Sequence, residues 1–232
     1  MPIAHNSFIE RHVSGRSFVD VGGLWGTVNE KVSVAAKSGA RSVTLIDITP
    51  QGDKLWSDAR EHCAALGVSG YREVTGNLDD PRLPERVGTF EFVHCSGIIY
   101  HCPNPVWTLM RLHALTEKYL VLGSMTVPPK VVGKSGELSF DKGLCMFLPG
   151  ISGREKEIVA DHFAERHVRV HNIAPDLSCP WYRNGEPDYS PWWWLWTPET
   201  LAAMVEAAGF RVIDVVTAWE PDLASAVFAE KI

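Results

Sequence analysis

Three groups of residues in this chain have types and spacings suited to chemistry. Gly22, Gly23 and Gly26 follow the short β-rich run Ser17–Val21. A glycine turn between a strand and a helix lets the backbone approach a ligand closely, and the helix start offers free N–H groups. The same turn without a ligand is a tight strand-to-helix connection. Asp47 lies about 20 residues further on, near the end of an apolar run, where its two oxygens suit the vicinal hydroxyls of a ribose. Tyr100 and His101 stand just past another β-rich run, Phe90–Cys95. An imidazole with an unperturbed pKa of about 6.5 takes a proton readily at neutral pH. The competing role for His101 is to hydrogen-bond the loop backbone.

Aromatic residues crowd one later stretch: Trp181, Tyr182, Tyr189, Trp192, Trp193, Trp194 and Trp196. They staple that stretch to a core, or they wall a pocket for a ring, a sugar face or a cation. Consecutive tryptophans on a strand cannot all face one core. A mixture is therefore expected, with Trp192, Trp193 and Trp196 as the candidate pocket residues. His162 and His167 are five apart and share no helical face well, so with His171 they read as surface histidines. No metal site is expected. Arg154, Arg169 and Arg183 read as solvated charges rather than partners of an anionic substrate.

These residues need elements to position them, and the pattern supplies an alternation. Ser17–Val21 is a strand, and Thr27 three residues before Glu30 predicts a capping box. The helix it opens carries Val28, Val32, Ala35 and Ala36 and stops at Gly39. A strand over 43–48 completes a βαβ unit. A helix over 54–66, strands over 71–75 and 90–95, a helix over 105–115 and a strand over 119–122 continue it. From 125 to 196 the pattern breaks, apart from one helix over 153–165. It resumes with a helix capped by Thr197 that runs to Ala208, then strands over 211–216 and 224–229. Such alternation specifies an α/β fold with a parallel sheet covered on both faces.

The bulk properties are those of an ordinary globular domain. The chain has 232 residues, 45% hydrophobic and 22% charged, enough for a sizeable core without staples. Its five cysteines are odd in number and include no C-x-x-C pair, which argues against a disulfide framework or a zinc ribbon. No apolar run is long enough to span a bilayer and the start lacks a signal-peptide core, so a cytoplasmic protein is expected. The formal net charge is −6 and no basic stripe stands out, which disfavours a nucleic-acid partner and favours a small molecule.

At the glycine turn a family resemblance emerges. Val19–Gly26 resembles the first motif of class I S-adenosylmethionine-dependent methyltransferases, acid-x-G-x-G-x-G. Asp20, Gly22 and Gly26 match; Leu24 stands at the middle glycine, with Gly23 one place earlier. Phe90–His101 is similar to the family's fourth-strand motif, including its Tyr-His ending. Pro103-Asn104-Pro105 and the Thr197–Leu201 segment ahead of Gly209-Phe210 fit as well. The resemblance covers residues 17–122 and 197–232.

The resemblance implies one methyltransferase domain over 1–232. Its Rossmann-like sheet would be mostly parallel with an antiparallel last strand. The 125–196 insertion after the fifth strand lies outside the resemblance, and a connection of that length is expected to be a lid or substrate-binding subregion. The implied cofactor is S-adenosyl-L-methionine. Asp20, Gly22, Gly23 and Gly26 would line its methionine end and Asp47 its ribose. Asn77 and Leu78 would lie at the adenine, where Asp79 and Asp80 compete, and Cys95 and Ser96 would run along the cofactor. His101 and Tyr100 would act on the acceptor, expected to be a hydroxyl of a natural product or sugar. An RNA such as tRNA, or a non-catalytic binding role, is the alternative. The nicotinamide fingerprint G-x-G-x-x-G is not matched.

Overall fold

A computed structural model describes residues 4–25, 30–140, 143–168, 182–183, 186–219 and 223–232. Gly26, Thr27, Val28, Arg169, His171 and Trp181 lie outside them. The chain begins with α1 (Ala4–His12), β1 (Ser17–Val21), α2 (Val32–Lys37), β2 (Ser42–Asp47), α3 (Lys54–Ala65), β3 (Arg72–Thr75), α4 (Leu83–Val87) and β4 (Phe90–Ser96). It continues with α5 (Pro105–Leu115) and β5 (Thr116–Met125). The insertion holds β6 (Lys130–Gly133), β7 (Gly136–Ser139), β8 (Cys145–Phe147), α6 (Gly153–Ala164), β9 (Tyr182–Arg183), β10 (Glu186–Pro187) and β11 (Trp194–Trp196). The last elements are α7 (Pro198–Ala207), β12 (Phe210–Thr217) and β13 (Ala224–Lys231).

Seven strands form one sheet in the order β12-β13-β5-β4-β1-β2-β3. The pairs among β1 to β5 are all parallel, while β13 runs antiparallel to both β5 and β12. The sheet is thus Rossmann-like and mostly parallel, with the antiparallel last strand that was expected. Strand order reverses between β1 and β4, which opens a crevice beyond their carboxyl ends.

Side-chain alternation sorts these two strands into faces. Phe18 and Asp20 on β1 pair with Phe92 and His94 on β4. The phenylalanines join Phe8, Ile9 and Phe228 in the core beneath α1. Val19, Val21, Val93 and Cys95 point to the opposite face, into the core shared with Leu109 and Leu112 of α5. Both faces are apolar, as the nearly continuous hydrophobic runs required.

Two helices differ from expectation. α2 starts only at Val32, and its first N–H groups are held by carboxylates: Lys31 N donates to Asp20 Oδ2 at 2.8 Å and Ser33 N to Glu30 Oε2 at 2.8 Å. Thr197 precedes α7 but makes no side-chain cap; its Oγ1 accepts from Leu144 N at 3.3 Å instead. α5 matches the expected 105–115, with Asn104 Oδ1 accepting from Trp107 N at 3.1 Å. Neither α1 nor α4 was anticipated.

The insertion is tied down at several points. β6 and β7 form a hairpin and β8 pairs with β11. Asp161 of α6 accepts from Ser135 N and Oγ at 3.1 and 2.8 Å. His162, expected at the surface, is 1% exposed with Nδ1 3.3 Å from the Val132 carbonyl; α6 packs that face onto the hairpin. Among the described residues no group of three His, Cys, Asp or Glu is placed to hold a metal ion. None of their helices is long and apolar enough to cross a membrane.

Candidate active site

The crevice beyond β1 and β4 holds a pocket of about 130 Å³. Gly22 turns the chain there with φ +80, a left-handed conformation suited to glycine. A Cβ on it would stand 2.1 Å from Ile98 Cδ1. Gly22 N donates to Ile46 O at 2.7 Å, which fixes the turn against β2. Gly23, Gly97 and Ser96 also line the pocket, so the structure brings the expected Asp20, Gly22, Gly23 and Ser96 together. Cys95 is fully buried on the other face of β4, where burial pushes its thiol pKa up.

A buried polar chain runs beneath this pocket. Asp20 Oδ1 lies 2.7 Å from His94 Nδ1, and His94 Nε2 lies 3.0 Å from Nδ1 of His5 on α1. Asp20, His94 and His5 are 1%, 3% and 1% exposed. The chain ends at His5 Nε2, which is buried and has no hydrogen-bond partner among the described residues; neither does Ser96 Oγ. Orphaned buried polar atoms are uncommon and mark places where a ligand or water completes the set. Gly123, which pairs with Ser96 across β4 and β5, makes this arrangement possible. A Cβ there would stand 2.2 Å from Ser96 Oγ and 2.6 Å from His5 Cε1.

Charge and aromatic surface complete the site. Lys31 lines the pocket; burial lowers its ammonium pKa, against the pull of Asp20 and Glu30. Trp25 and Trp219 line it too, 76% and 37% exposed, with the Trp219 ring centroid 5.8 Å from that of His5. Asp47 lies next to the turn, at the end of β2, and is 3% exposed. Its Oδ1 accepts from Thr49 N and Oγ1 at 2.9 and 2.7 Å, and its Oδ2 from Leu24 N at 3.3 Å. An ionised carboxylate accepts about four hydrogen bonds, so capacity remains on Oδ2.

The other expected residues lie elsewhere. Asn77 Nδ2 donates to Tyr189 Oη at 3.2 Å, and Tyr189 donates to Asp79 Oδ2 at 2.8 Å. Burial raises the Asp79 pKa, against hydrogen bonds from Thr108 and Tyr189. This joins the insertion to the loop after β3. Leu78 is core. Tyr100 is buried, its phenol pKa raised by burial, with Trp192 edge-on at 4.9 Å between ring centroids. His101 Nδ1 donates to Pro191 O at 3.1 Å. Burial lowers its pKa, opposed by hydrogen bonds with the Pro191 and Ser190 backbone. It thus hydrogen-bonds loop backbone, the second of its two expected roles.

The tryptophans expected to wall an acceptor pocket are core. Trp193 and Trp196 are fully buried and Trp192 is 6% exposed. Trp193 Nε1 donates to Asp188 O at 2.8 Å and Trp196 Nε1 to Ser124 Oγ at 2.9 Å, so both rings are satisfied inside. A larger groove of about 490 Å³ between α5 and α7 is lined by Val106, Met110, His113 and Met204 among others. Its lining comes from α5, α7 and the residue just past α7, and it reaches none of the strand ends.

No protein-family model matches the sequence, and comparison with curated proteins likewise finds no match. Solved structures do match in fold. Magnesium protoporphyrin IX methyltransferase from Synechocystis PCC 6803, solved with bound SAM, superposes with TM-score 0.56 at 13% identity. The match spans 99% of this chain and 77% of that one. The 1,6-didemethyltoxoflavin-N1-methyltransferase of Burkholderia thailandensis, solved with its substrate and S-adenosylhomocysteine, gives 0.55 at 14% identity over 99% and 79%. An S-adenosylmethionine-dependent methyltransferase from Mesorhizobium loti gives 0.56 at 15% over 98% and 96%. The chain therefore has the Rossmann-like fold of these methyltransferases.

Proposed function

We propose that this chain is a methyltransferase that uses S-adenosyl-L-methionine and acts on a hydroxyl of a small molecule. The observation that carries this reading is the glycine-lined pocket at the β1–β4 crevice, with two orphaned buried polar atoms, on a fold shared with methyltransferases. Gly22 and Gly23 present backbone to the methionine end. Asp47 would take the ribose, using its remaining capacity on Oδ2 and releasing the long bond from Leu24 N. Asn77 would meet the adenine once Tyr189 gives way.

The cofactor supplies an electrophilic methyl group, and the protein's tasks are alignment and exclusion of water. The insertion, latched by Tyr189 to the loop after β3, serves the second task as a lid. His101 is proposed to take the acceptor's proton: its lowered pKa keeps the ring neutral at neutral pH, and Pro191 holds its orientation. The rings of Tyr100 and Trp192 pack against it, with centroids 4.4 and 6.3 Å from that of His101. A net charge of −6 favours a small acceptor over an RNA.

Calorimetric titration of S-adenosylmethionine and S-adenosylhomocysteine into the wild type and Asp47→Ala tests the cofactor assignment. The expected result is micromolar binding that Asp47→Ala weakens by about tenfold or more. No binding of either ligand to the folded wild type sinks the reading.

A further inference from the structure

The Asp20–His94–His5 chain has a direction. A carboxylate only accepts, so His94 Nδ1 must donate to Asp20 Oδ1 across their 2.7 Å contact. In a neutral His94 this leaves Nε2 as an acceptor, which His5 Nδ1–H fills at 3.0 Å. His5 Nε2 then carries no proton. A carboxylate two side chains away thereby fixes which nitrogen of His5 is bare, and that nitrogen is the buried orphan at the pocket.

Burial is the largest cause pushing the His5 pKa down to about 2, and the charge of Lys31 adds to it. The ring is therefore neutral at working pH. His94, Asp20 and Lys31 are the titratable groups acting on it, with the indole of Trp219 alongside. Lys31 lines the same pocket, as does the unpartnered Ser96 Oγ. His5, Ser96 and Lys31 all line one space of about 130 Å³, and the first two each carry a buried, unpartnered polar atom. That is complementary to a small zwitterion bearing an ammonium and a carboxylate, and too small for a nucleoside.

We propose that His5 Nε2 accepts a hydrogen bond from the ammonium of the cofactor's amino-acid end, with Lys31 facing the carboxylate, and that His94 and Asp20 are positioning residues that hold His5 in the accepting tautomer. The assignment rests on the function proposed above. It adds three residues: His5 and Lys31, which lie outside the motifs carrying the resemblance, and His94, which lies within Phe90–His101 but was given no role there. His5 comes from a helix that precedes the first motif.

Two measurements on the full chain test it. Long-range ¹H–¹⁵N spectra of histidine-labelled protein, with the His5 signals assigned by their loss in His5→Gln, report the tautomer directly. The expected signature is a proton on His5 Nδ1 and a bare Nε2; a proton on Nε2 in the wild type overturns the proposal. The second measurement compares S-adenosylhomocysteine with 5′-methylthioadenosine, which lacks the amino-acid end. His5→Leu and His94→Leu should weaken S-adenosylhomocysteine tenfold or more and leave 5′-methylthioadenosine within twofold. Unchanged affinity for S-adenosylhomocysteine, or equal loss of both ligands, overturns it. Failure of the wild type to bind either ligand overturns instead the function on which this rests, and the two failures are distinct.

Discussion

At the scale of single residues, the site depends as much on what is missing from a side chain as on what is present. Gly123 carries no functional group, yet it leaves room for His5 and Ser96 to meet at the pocket. Gly123→Ala would bring a methyl to 2.2 Å from Ser96 Oγ and 2.6 Å from His5 Cε1, and the imidazole cannot swing away without breaking its bond to His94. The expected outcome is a folded protein whose affinity for S-adenosylhomocysteine falls by about tenfold (about 1.4 kcal/mol), measured by calorimetry beside a thermal melt. The glycine turn and Asp47 were legible in the sequence because their chemistry is local. The Asp20–His94 contact was half legible: both are polar residues within apolar strands, and they become neighbours once β1 and β4 are paired. His5 was not, since its contact spans 89 residues and its helix was not anticipated.

At the scale of elements, strands and helices whose ends carry strong local signals were readable, and those set by tertiary packing were not. α5 follows from Asn104 and Pro105, whose cap and fixed φ act within one turn. α1 has the sequence Ala-His-Asn-Ser-Phe-Ile-Glu-Arg-His, and only burial of Phe8 and Ile9 under β13 and β4 makes it a helix worth forming. The aromatic stretch was ambiguous for a similar reason: β11 is only three residues long, and pairing with β8 decides which rings turn inward. Trp196 packs at the junction of insertion and sheet and caps Ser124. Trp196→Ala should cost about 3–5 kcal/mol of stability, read as a lower urea midpoint; a loss under about 1 kcal/mol would show that the insertion is not held by this ring.

At the scale of the whole molecule, the buried neutral histidines make the fold sensitive to acid. In the unfolded chain His5 titrates near 6.5, and in the folded protein near 2. Between these values the unfolded state binds more protons, so its contribution to stability is complete above pH 6.5 and is lost as the pH falls. The expected slope from His5 alone is up to about 1.4 kcal/mol per pH unit, and His101, shifted in the same direction, adds to it. Thermal melts from pH 7.5 down to pH 4.5 check this: His5→Gln should flatten the dependence, and an unchanged slope would contradict a neutral His5. The sequence made the α/β class plain at this scale, because alternation extends along most of the chain. It did not show that the carboxylate of the first motif and the N-terminal helix share one buried network.

The two indoles at the mouth of the pocket carry a consequence of another kind. Among the described tryptophans, Trp56, Trp193 and Trp196 are sealed in the core. Trp25 and Trp219 meet solvent where a ligand would enter. The protein therefore carries its own optical reporter: water-exposed, red-edge emission from these two rings answers to occupancy of the pocket, while the sealed indoles supply a steady background.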